Sequence, residues 1–99
     1  MSTFAVQADP GGVLWLAGEF DLAGIDEFQA AVDAVLDAQG ELVLDLSELT
    51  FLDSTGIRAF LIVANRVEGG VVLRKPTPSV RRVLDLVGIE GRRGIRIDD

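Results

Sequence analysis

Within the apolar run "LTFLDSTGIRAFLIVANRV", residues 49 to 67, an acid, two hydroxyls and a glycine stand together as Asp53-Ser54-Thr55-Gly56. Residues of these types at the start of a helical stripe have two physical uses. Asp53 or Ser54 can cap the helix, its oxygen accepting from an orphan amide of the first turn, while Gly56 permits close packing there. The same geometry exposes a hydroxyl to unpaired amides and to the positive end of the helix dipole, where a phosphoryl group is well accommodated. Ser54 is therefore a candidate phospho-acceptor, and phosphorylation would add about −1.5 to −2 charge at pH 7. Asp53, next to it, can orient the hydroxyl in a kinase site or repel the phosphate once it is attached.

Hydrolytic chemistry fits these residues poorly. The chain has no histidine to deprotonate Ser54, and its one lysine, Lys75, falls in a different loop. Asp21 in "GEFD" and Asp53 could in principle act as a carboxylate pair for acid–base work or Mg²⁺ binding, although two scattered acids are far more often solvated surface. Without cysteine, disulfides and thiolate metal sites are excluded. The glycines at 11, 12, 69 and 70 mark turns and lack phosphate-loop spacing. The expectation is a protein with no catalytic activity, cofactor or metal of its own.

Positioning these loops requires strands and helices in a particular order. Residues 3–8, "TFAVQA", alternate with period two and run into the turn signal "DPGG", which predicts a hairpin. Its second arm, "VLWLAGEF" at 13–20, is apolar up to Gly18 and predicts a central strand covered on both faces. Helical spacing follows through Ile25, Phe28, Val32, Val35 and Leu36, with Gly40 closing the helix. "ELVLDL" at 41–46 reads as a short strand and leads through a loop into a second helical stripe: Ile57, Phe60, Leu61, Ala64 and Val67. "VVLRK" at 71–75 is a further strand. Two prolines then introduce a third helix with Val80, Val83, Leu84 and Val87 inward and Arg81 and Arg82 outward. "GIRID" at 94–98 closes the chain as an edge strand. Crossovers between parallel strands are right-handed in nearly all cases, so the expected fold is α/β: a mixed sheet of four to five strands, its later strands parallel, packed with three helices. Functional loops in such sheets gather beyond the carboxyl ends of the strands, and both "GEFD" and "DSTG" fall there.

Ninety-nine residues, 48% of them hydrophobic and 25% charged, fit one domain over residues 1–99 with a modest core. The net charge is −7, and it is unevenly placed: eleven Asp and Glu and no Lys or Arg precede Arg58. These acids either solvate helical surfaces or form an acidic face for a basic protein partner. Nucleic acid is a poor partner for an acidic chain of this kind. No segment approaches the roughly 18–20 apolar residues that span a bilayer, so a cytoplasmic location is expected.

Three blocks in order, "LAGEFDLAGIDEF", "LVLDLSELTFLDSTGIRAFL" and "PSVRRVLDLVGI", resemble the STAS domains of bacterial anti-sigma factor antagonists across nearly the whole chain. The resemblance implies a small α/β domain that, unphosphorylated, binds an anti-sigma factor that is itself a GHKL-type serine kinase, and so frees a sigma factor. Phosphorylation ends the binding, and a PP2C-type phosphatase reverses it. By the same resemblance the acceptor is Ser54, with Thr55 a possible secondary acceptor. Asp21, Asp53, Ser54, Thr55 and Gly56 make up the implied partner-binding loops. "NRVEGGVVL" is a few residues shorter than the family pattern, which bears on partner specificity and leaves the acceptor loop untouched. A non-switching STAS scaffold, or a small cytoplasmic subunit of a signalling or lipid-transport assembly, is the alternative with the same fold.

Overall fold

Asp9 organises the first turn: its carboxylate accepts from the amides of Gly11 at 2.9 Å and Val13 at 3.0 Å, and the Asp9 amide donates to the Val13 carbonyl. This turn joins β1 (Phe4–Ala8) to β2 (Leu14–Phe20) as the antiparallel hairpin that the sequence predicts. The computed structural model describes residues 3–36 and 40–99. The remaining elements are α1 (Ile25–Val35), β3 (Leu42–Leu52), α2 (Ser54–Arg66), β4 (Val71–Arg74), α3 (Pro78–Leu86) and β5 (Ile95–Asp98), with short 3-10 turns at Leu22–Gly24 and Ile89–Gly91.

The sheet order follows the chain, β1-β2-β3-β4-β5, and every pair after the hairpin is parallel. A mixed five-stranded sheet with three helices is thus the observed architecture. Each β-α-β step moves to the next strand in the same direction, so right-handed crossovers carry α1 and α2 to one face. There α1 packs on β1 and β2 and against α2, while α2 lies over β3 and β4.

α3 packs on β3, and one buried cluster ties helices and sheet together, including Leu14, Leu16, Leu44, Leu46, Leu49, Leu73, Val80, Leu84 and Ile89. Phe20 anchors its upper end. The ring stacks on Phe4 at 4.7 Å and meets Phe28 at 5.0 Å and Phe60 at 5.6 Å. Four aromatic rings from β1, β2, α1 and α2 thereby lock together directly beneath the loop that begins at Asp21.

Several expectations are corrected. β2 is interior, but the middle strand is β3, and β2 is not covered on both faces: Trp15 is 38% exposed. Its run is apolar because an indole tolerates a half-open position when its N–H is satisfied, here by Asp9 at 3.1 Å. β3 runs through residues 47–52, where a loop was expected. Two irregularities in its register with β2 shift its buried residues to Leu46, Leu49 and Leu52, a spacing of three that hides the strand period.

In α3, Val80 and Leu84 are buried and Arg82 is exposed as expected, but Val87 and Arg81 differ. Val87 lies past the last helical residue and is 47% exposed. Arg81 is half-buried and reaches Asp85, Glu90 and Asp99. Lys75, at φ 52°, ends β4 one residue early. α1 ends at Val35, and the expected closure at Gly40 falls across residues 37–39, outside the described residues.

Candidate functional site

The register of β2 and β3 builds the site. Phe20 and Leu52, the last residues of the two strands, are direct partners, so Asp21 and Asp53 leave the same end of the sheet side by side. Neighbouring strands stand about 4.8 Å apart, which brings the two polar loops into one small area.

Asp53 is the N-cap of α2, in extended conformation, with its carboxylate accepting from the amides of Thr55 at 3.0 Å and Gly56 at 3.3 Å. It also accepts the Thr55 hydroxyl. Of the two capping assignments open in the sequence, the structure takes Asp53. Ser54 is the first helical residue, exposed, and its hydroxyl donates to no other described residue. Asp21 caps the short turn Leu22–Gly24 by accepting from the Ala23 amide at 3.0 Å, which fixes the second loop.

Gly56 shows why this helix starts so close to the sheet. A Cβ there would collide with Leu52 Cδ1 and come within 3.0 Å of Phe20 Cδ2. Only glycine lets the first turn of α2 rest on the two paired strand ends. All five residues expected in the partner-binding loops therefore stand together.

A shallow groove of about 250 Å³ opens beside Thr55, bounded by Leu22, Ile25, Arg58, Ala59 and Ile62. Leu22 is 74% exposed and Ile62 42%, so apolar surface is available next to the hydroxyls. The sequence reading missed this groove. Ile62 carries the only available signal, an apolar residue lying off the buried stripe of α2.

The acidic half is partly neutralised by the basic half. Asp33 pairs with Arg66 at 2.8 Å, Glu41 with Arg96 at 3.2 Å and Asp45 with Arg74 at 2.8 Å. Among the described residues, Glu19, Asp21, Asp26, Glu27, Glu48 and Asp53 make no ion pair. Asp21, Asp26, Glu27 and Asp53 belong to the loops and first turns around the groove, so unneutralised charge gathers at the site. No group of three or more His, Cys, Asp or Glu among the described residues assembles as a metal site.

A second polar feature lies away from this end and was not foreseen. Trp15, Asp45, Arg74 and Asp98 occupy successive positions in one register row across β2 to β5. Asp45 is 1% exposed. Burial pushes its carboxyl up, but hydrogen bonds from the Ser47 hydroxyl and amide and from the Arg74 guanidinium outweigh that and hold it below the usual carboxylate range. The guanidinium also lies 5.1 Å from the Trp15 ring centre.

Residues 4–97 match the family profile described as "Mlab, STAS domain". The chain belongs to the STAS domain family. This STAS domain is 34% identical over 77 residues to BtrV of Bordetella bronchiseptica, provisionally named an anti-sigma factor antagonist; the match covers 74% of the domain and 66% of that protein, just under two thirds of its length. A solved anti-sigma factor antagonist from Mycobacterium paratuberculosis superposes with a TM-score of 0.78 at 28% identity, covering 97% of the domain and 86% of that chain. The anti-sigma factor antagonist SpoIIAA in its unphosphorylated form gives a TM-score of 0.72 at 19% identity, with 98% and 89% covered, and shares the fold. No described helix is long and apolar enough to cross a membrane.

Proposed function

We propose that this STAS domain is a cytoplasmic anti-sigma factor antagonist, without catalytic activity of its own, gated by phosphorylation of Ser54. In this reading the unphosphorylated form binds a cognate GHKL-type anti-sigma kinase and releases the sigma factor. The kinase then transfers the γ-phosphoryl of ATP to Ser54 Oγ as the bond to the β-phosphate breaks and ADP leaves, the hydroxyl proton passing to a base of the kinase, and the complex separates. A PP2C-type phosphatase restores the free hydroxyl.

One observation carries the proposal: Ser54 is an exposed hydroxyl that donates to no described residue, directly after the capping Asp53 and before Thr55, which borders an open apolar groove. Three other described hydroxyls are engaged. Thr55 donates to Asp53, Ser47 donates to Asp45 at 2.6 Å, and Ser79 reaches the Thr50 carbonyl at 3.4 Å. The names of BtrV and of the mycobacterial neighbour support the antagonist reading.

Phosphate at the start of α2 is compatible with the fold, because the dipole there favours negative charge. In a complex the same dianion is pressed toward Asp21 and Asp53, where like charges and lost hydration oppose docking. A loss of about 3 kcal/mol would lower affinity by roughly a hundredfold, enough for a switch.

The test is incubation with the cognate kinase and ATP, followed by mass spectrometric mapping and calorimetric binding. Phosphate at Ser54 and a drop in kinase affinity are expected. Phosphate mainly at Ser2, Ser47 or Ser79 would sink the assignment. A chain that binds its partner without ever accepting phosphate would support the non-switching STAS subunit instead.

A further inference from the structure

Arg58 is, with Arg66, one of two cations on α2, and the one nearer Ser54. It is the first basic residue after eleven acids, it is exposed, and among the described residues it makes no ion pair. Arg66, Arg74, Arg81 and Arg96 all hold carboxylates. Arg58 lies four residues after Ser54 on α2, which places the two on the same face one turn apart. Helical side chains lean toward the N-terminus, which favours reach from position 58 back to the turn that carries the serine, and Arg58 lines the groove together with Thr55.

Two of the amides that usually receive an anion at a helix start are already engaged here. Those of Thr55 and Gly56 donate to the Asp53 carboxylate. A phosphate on Ser54 that leaves this cap intact has fewer amide donors than an open helix start offers, and Arg58, one turn on, is the nearest cation along α2. Guanidinium presents several N–H groups in a fork suited to phosphate oxygens.

We infer that Arg58 is the residue of this chain that pairs with the phosphate on Ser54. The inference rests on the phosphorylation proposed above and adds a second element to the switch. Arg58 and Thr55 both border the apolar groove beside Leu22 and Ile62. In the unphosphorylated protein the guanidinium is available there to a carboxylate of the partner. In the phosphorylated protein it is consumed by the chain itself. Phosphorylation thus removes a donor from the docking surface as well as adding charge.

The test installs phosphoserine at position 54 of the full chain by genetic encoding, so that no kinase is needed, and follows the ³¹P chemical shift from about pH 4 to 8. The second ionisation of phosphoserine falls near pH 6, inside this window. Pairing with Arg58 favours the dianion, so the phosphate of the otherwise native chain should ionise about half a unit or more below that of the Arg58→Gln variant. Arg58→Lys should recover part of the difference. Arg58 is exposed, and thermal melts of both variants check that the fold is retained. Superimposable titration curves for the native and Arg58→Gln chains would overturn the inference. Because the phosphate is supplied without a kinase, this result is independent of whether the kinase chooses Ser54. Failure of that assignment would be seen only in the mapping experiment.

Discussion

Asp53 accepts both the amide and the hydroxyl of Thr55, and through this double contact it secures the first turn of α2 while leaving the intervening Ser54 hydroxyl free. Cap and acceptor are thus separate residues, although they are neighbours in sequence. Asp53→Ala should cost about 0.5–2 kcal/mol of stability, and Asp53→Asn much less, because an amide oxygen also caps well. Urea unfolding of both variants measures this. Equal stability of Asp53→Ala and the native chain would show that packing of Gly56 alone holds the turn.

Ser54 and Gly56 lie two residues apart and should respond in opposite ways. Ser54→Ala removes an exposed hydroxyl that no described residue uses, so stability should change by no more than about 0.5 kcal/mol. Gly56→Ala drives a methyl group into Leu52 and Phe20 and should cost about 1–3 kcal/mol through overpacking. Thermal melts compare the pair directly. A Ser54→Ala loss as large as that of Gly56→Ala would restore a structural role to the serine.

The element order and the convergence of "GEFD" and "DSTG" were legible because apolar periodicity and turn residues specify them locally. The second half of β3 was not, since its irregular register with β2 moves Leu46, Leu49 and Leu52 to a spacing of three. Nor was the choice of cap: Asp53 and Ser54 are both good capping types, and only the position where the chain leaves Leu52 selects between them. Asp45 inside "ELVLDL" and Arg74 inside "VVLRK" are each visible as polar residues in apolar strands. Their pairing depends on the parallel register of β3 with β4, which neither segment encodes alone. The groove at Leu22 and Ile62 likewise forms between elements distant in sequence.

The Asp45–Arg74 pair makes stability depend on acid pH in a defined direction. Asp45 titrates below its ordinary value of 3.8 in the folded protein. Above that pH its contribution is complete. As pH falls through 3.8 the unfolded chain takes up the proton first, so stability declines until the folded carboxyl is protonated too. Asp9, held below its usual range by Trp15 Nε1–H and the Val13 and Gly11 amides, acts with the same sign. Asp45→Asn should cost about 3 kcal/mol near neutral pH, at the lower end for a broken buried pair, because Arg74 retains some access to water. It should also flatten the acid limb of the stability curve without abolishing it. Trp15 is the only tryptophan and lies against Arg74, so its fluorescence reports unfolding at each pH. An acid limb unchanged in Asp45→Asn would remove this pair as its source.

The unneutralised acids around the groove predict how the partner arrives. Asp33, Glu41 and Asp45 are held by arginines of the second half, so the field of the acidic half is concentrated where Asp21, Asp26, Glu27 and Asp53 surround the start of α1 and α2. Charge complementarity acts chiefly on association rate, and salt screens it over about 8 Å at physiological ionic strength. Association with the proposed kinase should therefore slow as salt rises, with a smaller change in dissociation. Replacing Asp26 and Glu27 by lysine should lower the association rate and flatten its salt dependence, because neither residue is in the cap of α2. Replacing Asp33 should do much less, since Arg66 already offsets it. Stopped-flow or surface-binding kinetics from low salt to about 0.5 M separate the cases. A rate indifferent to salt, or equally sensitive to Asp33 and to Asp26, would reduce these acids to solvation of a helical surface.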